Sequence, residues 1–142
     1  MKLLTYGFLL VLAMSTVEKC DKEIEGPSAK LNEAFALELD KTILIKEEKI
    51  GITFSGKKES RCPVNVNCMR AGEVIASFQV TDANGQTKEV SLELKDNCSE
   101  KGTAECGVST TAMGYKINLM RVDPYPGSGT TPVTAKLKVM KN

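Results

Sequence analysis

Hydrophobic and polar residues alternate with a period of two over most of this chain. Phe35, Leu37 and Leu39 alternate with Ala36 and Glu38, and Ile43 and Ile45 repeat the pattern. Ile50, Ile52 and Phe54 alternate with Gly51 and Thr53. Val74, Ala76, Phe78 and Val80 oppose Ile75, Ser77 and Gln79. Val90, Leu92 and Leu94 follow, then Tyr115, Ile117 and Leu119, then Val133, Ala135, Leu137 and Val139. Successive side chains of a strand point to opposite faces, so each run predicts a strand with one apolar face and one wet face. No window of a dozen residues after position 20 keeps a helical period.

Turn residues separate the runs. Asn84-Gly85, inside Asp82-Ala83-Asn84-Gly85-Gln86, lies between two alternating segments and predicts a hairpin, because both residue types tolerate positive φ. Asp40-Lys41 and Glu47-Glu48 mark shorter connections. Asp123-Pro124-Tyr125-Pro126-Gly127-Ser128-Gly129 predicts a loop, since proline donates no ladder bond. About seven short strands argue for an all-β domain, a small antiparallel sandwich or flattened barrel. With no Trp and few aromatic residues, its core is aliphatic.

The N-terminus breaks the pattern. Lys2 precedes an almost wholly apolar run, Leu3 to Val17, with the shape of an export signal over residues 1–19. Cys20 follows directly. A bacterial lipoprotein signal places small residues before a cysteine that receives the lipid; Val17 suits that pattern, and Glu18 and Lys19 do not. Ala13-Met14-Ser15 offers an ordinary cleavage site instead, and retention as an uncleaved anchor is the third course. Residues 20–30 are charged, carry Gly26-Pro27, and read as a flexible tether. Residues 31–142 are the size of one domain.

The chain has five cysteines and no histidine. Cys62 and Cys68 enclose five residues, and Cys98 and Cys106 enclose seven. Two local pairs and one odd cysteine fit an exported protein with two disulfides and a lipidated Cys20. Four cysteines allow three pairings; local closure of Cys62–Cys68 and Cys98–Cys106 is the one expected. Zinc on four thiolates competes, but the spacings exceed the usual knuckles and no histidine is present. No Cys-x-x-Cys redox motif occurs.

The segment Glu59-Ser60-Arg61-Cys62-Pro63-Val64-Asn65-Val66-Asn67-Cys68-Met69-Arg70-Ala71-Gly72-Glu73-Val74 resembles the motif Asp-Ser-Arg-Cys-Pro-x-x-Val-x-Cys-x-Trp-x-Gly of a family of small bacterial envelope proteins, many of them predicted lipoproteins. Gly114 to Leu119 and Pro124-Tyr125-Pro126 resemble that family's second half. The likeness spans about residues 31–140 and departs at Arg70, where the family usually has Trp. It implies a β-rich envelope domain and brings no assigned activity.

Net charge is +1, with positive and negative residues interspersed, so no basic stripe points to nucleic acid. Without histidine the commonest general base is missing, and no carboxylate pair or Ser/Lys spacing stands out for an enzyme. No cofactor motif is present. Asp96-Asn97 beside Glu100 lacks the Asp-x-Asp-x-Asp-Gly calcium pattern. Tyr125 between two prolines is either an exposed ring or a loop plug, and Arg61 either pairs with Glu59 and loop carbonyls or binds an anion.

The expected function is therefore a non-catalytic envelope lipoprotein, a disulfide-braced binding or interaction module held at the membrane by its lipid, with an envelope protein or glycan as partner. A secreted inhibitor or accessory protein presenting the 62–68 loop is one alternative, and an enzyme of unidentifiable class, using carboxylates or Ser/Lys, is the other. The expected partner surface is Arg61, Asn65, Asn67 and Arg70, because a closed loop with Pro63 is ordered before a partner arrives; the competing expectation is that this loop only braces a sheet edge.

Overall fold

Alternation of this kind buries one face of each strand, and two such sheets satisfy one another by packing face to face. The computed structural model describes residues 26–96, 107–129 and 131–142. In chain order the strands are β1 (Ser28–Ala29), β2 (Ala34–Glu38), β3 (Thr42–Ile45), β4 (Ile50–Glu59), β5 (Glu73–Thr81), β6 (Thr87–Lys95), β7 (Val108–Ala112), β8 (Tyr115–Asp123) and β9 (Thr134–Lys141). One sheet runs β1-β3-β4-β5-β6 and the other β2-β9-β8-β7. All pairings are antiparallel except that of β1 with β3. The result is a β-sandwich, not a closed barrel.

The core lies between the sheets and is aliphatic apart from Phe54 and Phe78. These two rings stand opposite each other on β4 and β5 and stack with centroids 5.1 Å apart. Ile45, Ile52, Val74, Val80 and Leu94 fill one inner face; Ile117, Leu119, Val122, Leu137 and Val139 fill the other. The chain changes sheet at residues 39–41, where Leu39 N–H donates to Val133 O and Asp40 N–H to Phe54 O. Asp40 takes a φ of 61° there, a conformation Asp tolerates better than most residues.

Seven of the nine strands among the described residues match the alternating runs, and two are additions. β7, Val-Ser-Thr-Thr-Ala, has too few apolar residues to show alternation; it is recruited by pairing with β8. β1 is two residues long and falls inside the expected tether, so ordered structure begins before residue 31. It forms because Leu44 N–H and its neighbours offer an open edge, which Pro27 O and the β1 backbone occupy. The 82–86 hairpin forms as expected, but only Gly85 takes positive φ. Asp82 supplies the rest, its Oδ1 accepting from Asn84 N–H and Gln86 N–H.

The register sorts the connections to two ends. Turns 46–49, 82–86 and 113–114 share one end with Asn142; Tyr115 O–H donates there to Glu48 Oε2 at 2.7 Å, and Lys141 Nζ lies 3.1 Å from the same oxygen. Loops 60–72 and 124–133 occupy the other end. β1 runs parallel to β3, and therefore opposite to β4. The chain thus enters β1 from the end at which β4 delivers loop 60–72.

Candidate functional site: the Cys62–Cys68 loop and its arginine hub

β4 ends at Glu59, and the next two residues settle the loop that follows. Ser60 N–H donates to Glu73 O at 2.9 Å, and the Ser60 hydroxyl donates to the same carbonyl, holding the start of the loop against its end. Arg61 then turns inward. It is 3% exposed, the buried charged residue among the described residues.

Its guanidinium is a fork with five donors, and the protein meets that demand from three directions. Nε donates to Glu59 Oε1 at 2.6 Å and Nη2 to Glu59 Oε2 at 2.5 Å, a bidentate pair. Nη1 donates to Val122 O at 2.9 Å and Nη2 to Pro124 O at 3.3 Å, both on the opposite sheet or its outgoing loop. The flat face lies 4.9 Å from the Tyr125 ring centroid. Burial pushes the Glu59 carboxyl up, but the Arg61 guanidinium and N–H, with Lys57, outweigh it and hold it below its ordinary value.

Tyr125 is half-buried, its ring over the Arg61 guanidinium and its edge in the cleft beside Val64. Its hydroxyl donates to Asp96 Oδ1, while Asp96 Oδ2 accepts from Cys62 N–H at 3.3 Å. Asp96 N–H in turn donates to Gly72 O at 3.0 Å. One aspartate thus ties β6, the Pro-Tyr-Pro loop and both sides of loop 60–72 together. Gly72 is required by that closeness: a Cβ there would stand 1.7 Å from the Ser60 carbonyl oxygen.

Beyond this base the loop projects. Cys62 and Cys68 form a disulfide with their Cα atoms 5.9 Å apart. Inside it Val66 N–H donates to Pro63 O, and Val64 N–H reaches across to Pro126 O, both at 3.1 Å. Val64 and Val66 are 52% and 55% exposed, and Met69 is fully so. Asn65, Asn67 and Arg70 are exposed beside them. A cleft of about 440 Å³ opens between Val64 and the 121–131 segment, with Pro124 and Tyr125 in its wall and the Arg121–Asp123 ion pair, 2.6 Å long, at its rim.

Of the expected partner-facing residues, the structure brings Asn65, Asn67 and Arg70 to one exposed surface. It removes Arg61 from that set, because its guanidinium is buried and donates to Glu59, Val122 O and Pro124 O inside the protein. Sequence reasoning missed the apolar members Val64, Val66 and Met69, although a hydrophobic residue inside a polar, covalently closed loop has no sheet face to serve and is itself a signal. Cys20, Cys98, Cys106, the apolar run and Glu100 lie outside the described residues. Among the described residues no cluster of three His, Cys, Asp or Glu side chains is placed to hold a metal ion. Comparison with protein-family models, curated proteins and solved structures finds no match to this chain.

Proposed function

We propose that this chain is an exported, non-catalytic envelope lipoprotein of the kind its Ser-Arg-Cys-Pro segment resembles. Cys20 carries the lipid, Cys98 and Cys106 close a second disulfide, and the β-sandwich is an interaction module. Its contact surface is the tip of loop 62–70: Val64, Asn65, Val66, Asn67, Met69 and Arg70.

One observation supports this reading above the others. The large exposed apolar side chains of the described residues, Val64, Val66 and Met69, stand together on one loop. Exposing them costs solubility, and the loop's base is held by the buried Arg61, a disulfide and backbone bonds to the opposite sheet. A rigid loop with a hydrophobic tip and a polar rim is the arrangement of a binding surface, where ordering before contact lowers the entropy lost on contact. A secreted accessory or inhibitor protein is the second reading. The cleft beside Val64 favours it, since a partner protein would find both a knob and a socket there.

A photo-cross-linker at position 66 in growing cells, with intact mass of the recovered chain, tests the proposal. Adducts to an envelope component on a chain that begins at an acylated Cys20 are expected. An unlipidated chain released to the medium favours the second reading. No adduct at position 66, with adducts elsewhere on the surface, contradicts both.

A further inference from the structure

The direction in which the chain enters the sandwich bears on the partner of this tip. Ser28, Leu44 and Gly51 stand in one row across the sheet. From Gly51, β4 runs eight residues to Glu59 and loop 60–72, about 26 Å at the usual strand rise. β1 runs opposite to β4, so Gly26 and Pro27, which precede it, lie toward that same side. Cys20 is also eight residues from Ser28, and eight residues span at most about 28 Å. A chain held at a bilayer through Cys20, or through the apolar run before it, thus has the tip of loop 62–70 within reach of the same bilayer.

The chemistry of the tip agrees. From Ser60 to Gly72 there is no Asp or Glu, and Glu59 is already paired with Arg61. Arg70 is exposed next to fully exposed Met69. Apolar side chains at the apex with a cation beside them suit an interface of acyl chains and anionic headgroups, where an arginine stem lies along the apolar layer and its head meets phosphate. A second contact on the rigid body that carries the anchor meets the bilayer at the high effective concentration the tether sets.

We propose that Val64, Val66 and Met69, with Arg70, dock on the surface of an anionic bilayer, the one to which the chain is tethered. This rests on the tethered-module reading above and names the partner of its contact surface.

The protein has no tryptophan, so an introduced indole reports alone. Full-length Val66→Trp and Asn84→Trp proteins, as extracted from membranes, are placed in vesicles of equal phosphatidylethanolamine and phosphatidylglycerol containing brominated acyl chains. Asn84 lies in the hairpin at the opposite end. The indole at position 66 should shift to the blue and lose roughly half its emission, as an interfacial side chain does, while that at position 84 loses none. A protein that floats with the vesicles yet leaves the position 66 indole unquenched overturns the docking and keeps the tether. The same unquenched indole becoming shielded only when envelope proteins are added also overturns it, in favour of a protein partner. A protein that does not float overturns both.

Discussion

Arg61, just beyond the end of β4, donates through Nη1 to the carbonyl of Val122, near the end of β8 in the opposite sheet, at 2.9 Å. A side chain that is ordinarily solvent-facing is thereby a strut across one end of the sandwich, and the loop that follows takes its position from it. Removing it leaves the Val122 and Pro124 carbonyls without their donor, while the Glu59 carboxylate, still partly exposed, can turn to water. Leaving buried backbone carbonyls without a donor costs about 1–3 kcal/mol. Arg61→Ala should lower stability by that order in urea unfolding under non-reducing conditions. Arg61→Lys keeps the charge but loses the fork, and should fall between parent and alanine variant. Equal stability of all three would remove the strut from the account.

Gly72 is fixed by contact, not by backbone angle. A methyl at this position meets the Ser60 carbonyl oxygen at 1.7 Å and its carbon at 2.4 Å, both backbone atoms that must move together with Arg61. Gly72→Ala should cost roughly 3 kcal/mol, the upper part of the overpacking range. Gly85→Ala, where the added atom meets nothing but the φ of 79° strains an L residue, should cost less, about 1 kcal/mol. A larger loss at Gly85 than at Gly72, by thermal unfolding, would contradict this placement.

Acid should weaken the fold through two carboxylates. Glu59 is held below its ordinary value of 4.5 despite burial, chiefly by Arg61. Glu48 is held below the same value by the Tyr115 hydroxyl and Lys141. A carboxyl depressed in the folded state contributes stability fully present above its unfolded value and lost as pH falls through the folded one. Stability should therefore decline as pH drops below 4.5, and Glu59→Gln should be weaker at neutral pH with a shallower acid decline. Glu73 works in the opposite sense, raised by a hydrogen bond with Glu93 and by burial, so its protonation favours the folded state. Parallel pH profiles for parent and Glu59→Gln would exclude Glu59 from the acid response.

The Cys62–Cys68 bridge closes a short loop, so its effect on global stability is modest, about 2 kcal/mol by loop closure. Replacing both cysteines by serine should leave a folded sandwich, because Arg61, Ser60 and Asp96 still hold the loop's base. Amide exchange should speed up at residues 63–69 and stay unchanged at Ser60 and Glu73. Global unfolding of the double serine variant would show that the bridge, and not the hub, carries this end.

The strands were legible because their alternation is a local property: Val74 to Val80 or Val133 to Val139 declare a buried face without reference to any partner. β7 was not, because Ser109, Thr110 and Thr111 carry no apolar signal and the strand exists only through its pairing with β8. Its hairpin was equally silent, since Met113 takes a positive φ that its side chain does not advertise. At the candidate site, the Arg61–Glu59 pair could be weighed from sequence, the two residues being two positions apart on one face. The Val122 and Pro124 carbonyls could not, lying more than sixty residues away and carrying no side-chain identity. The pairing of Arg61 with Glu59 and loop carbonyls, one of its two expected uses, is therefore met, and its place on the partner surface is not.

Hydrogen exchange of the full-length protein, with and without envelope membranes, tests most directly which end of the sandwich makes contact. New protection confined to residues 62–70, with turns 46–49 and 82–86 unchanged, is the expected result. Protection gained at those turns while residues 62–70 exchange as in the isolated protein would contradict the assignment of the loop as the contact surface.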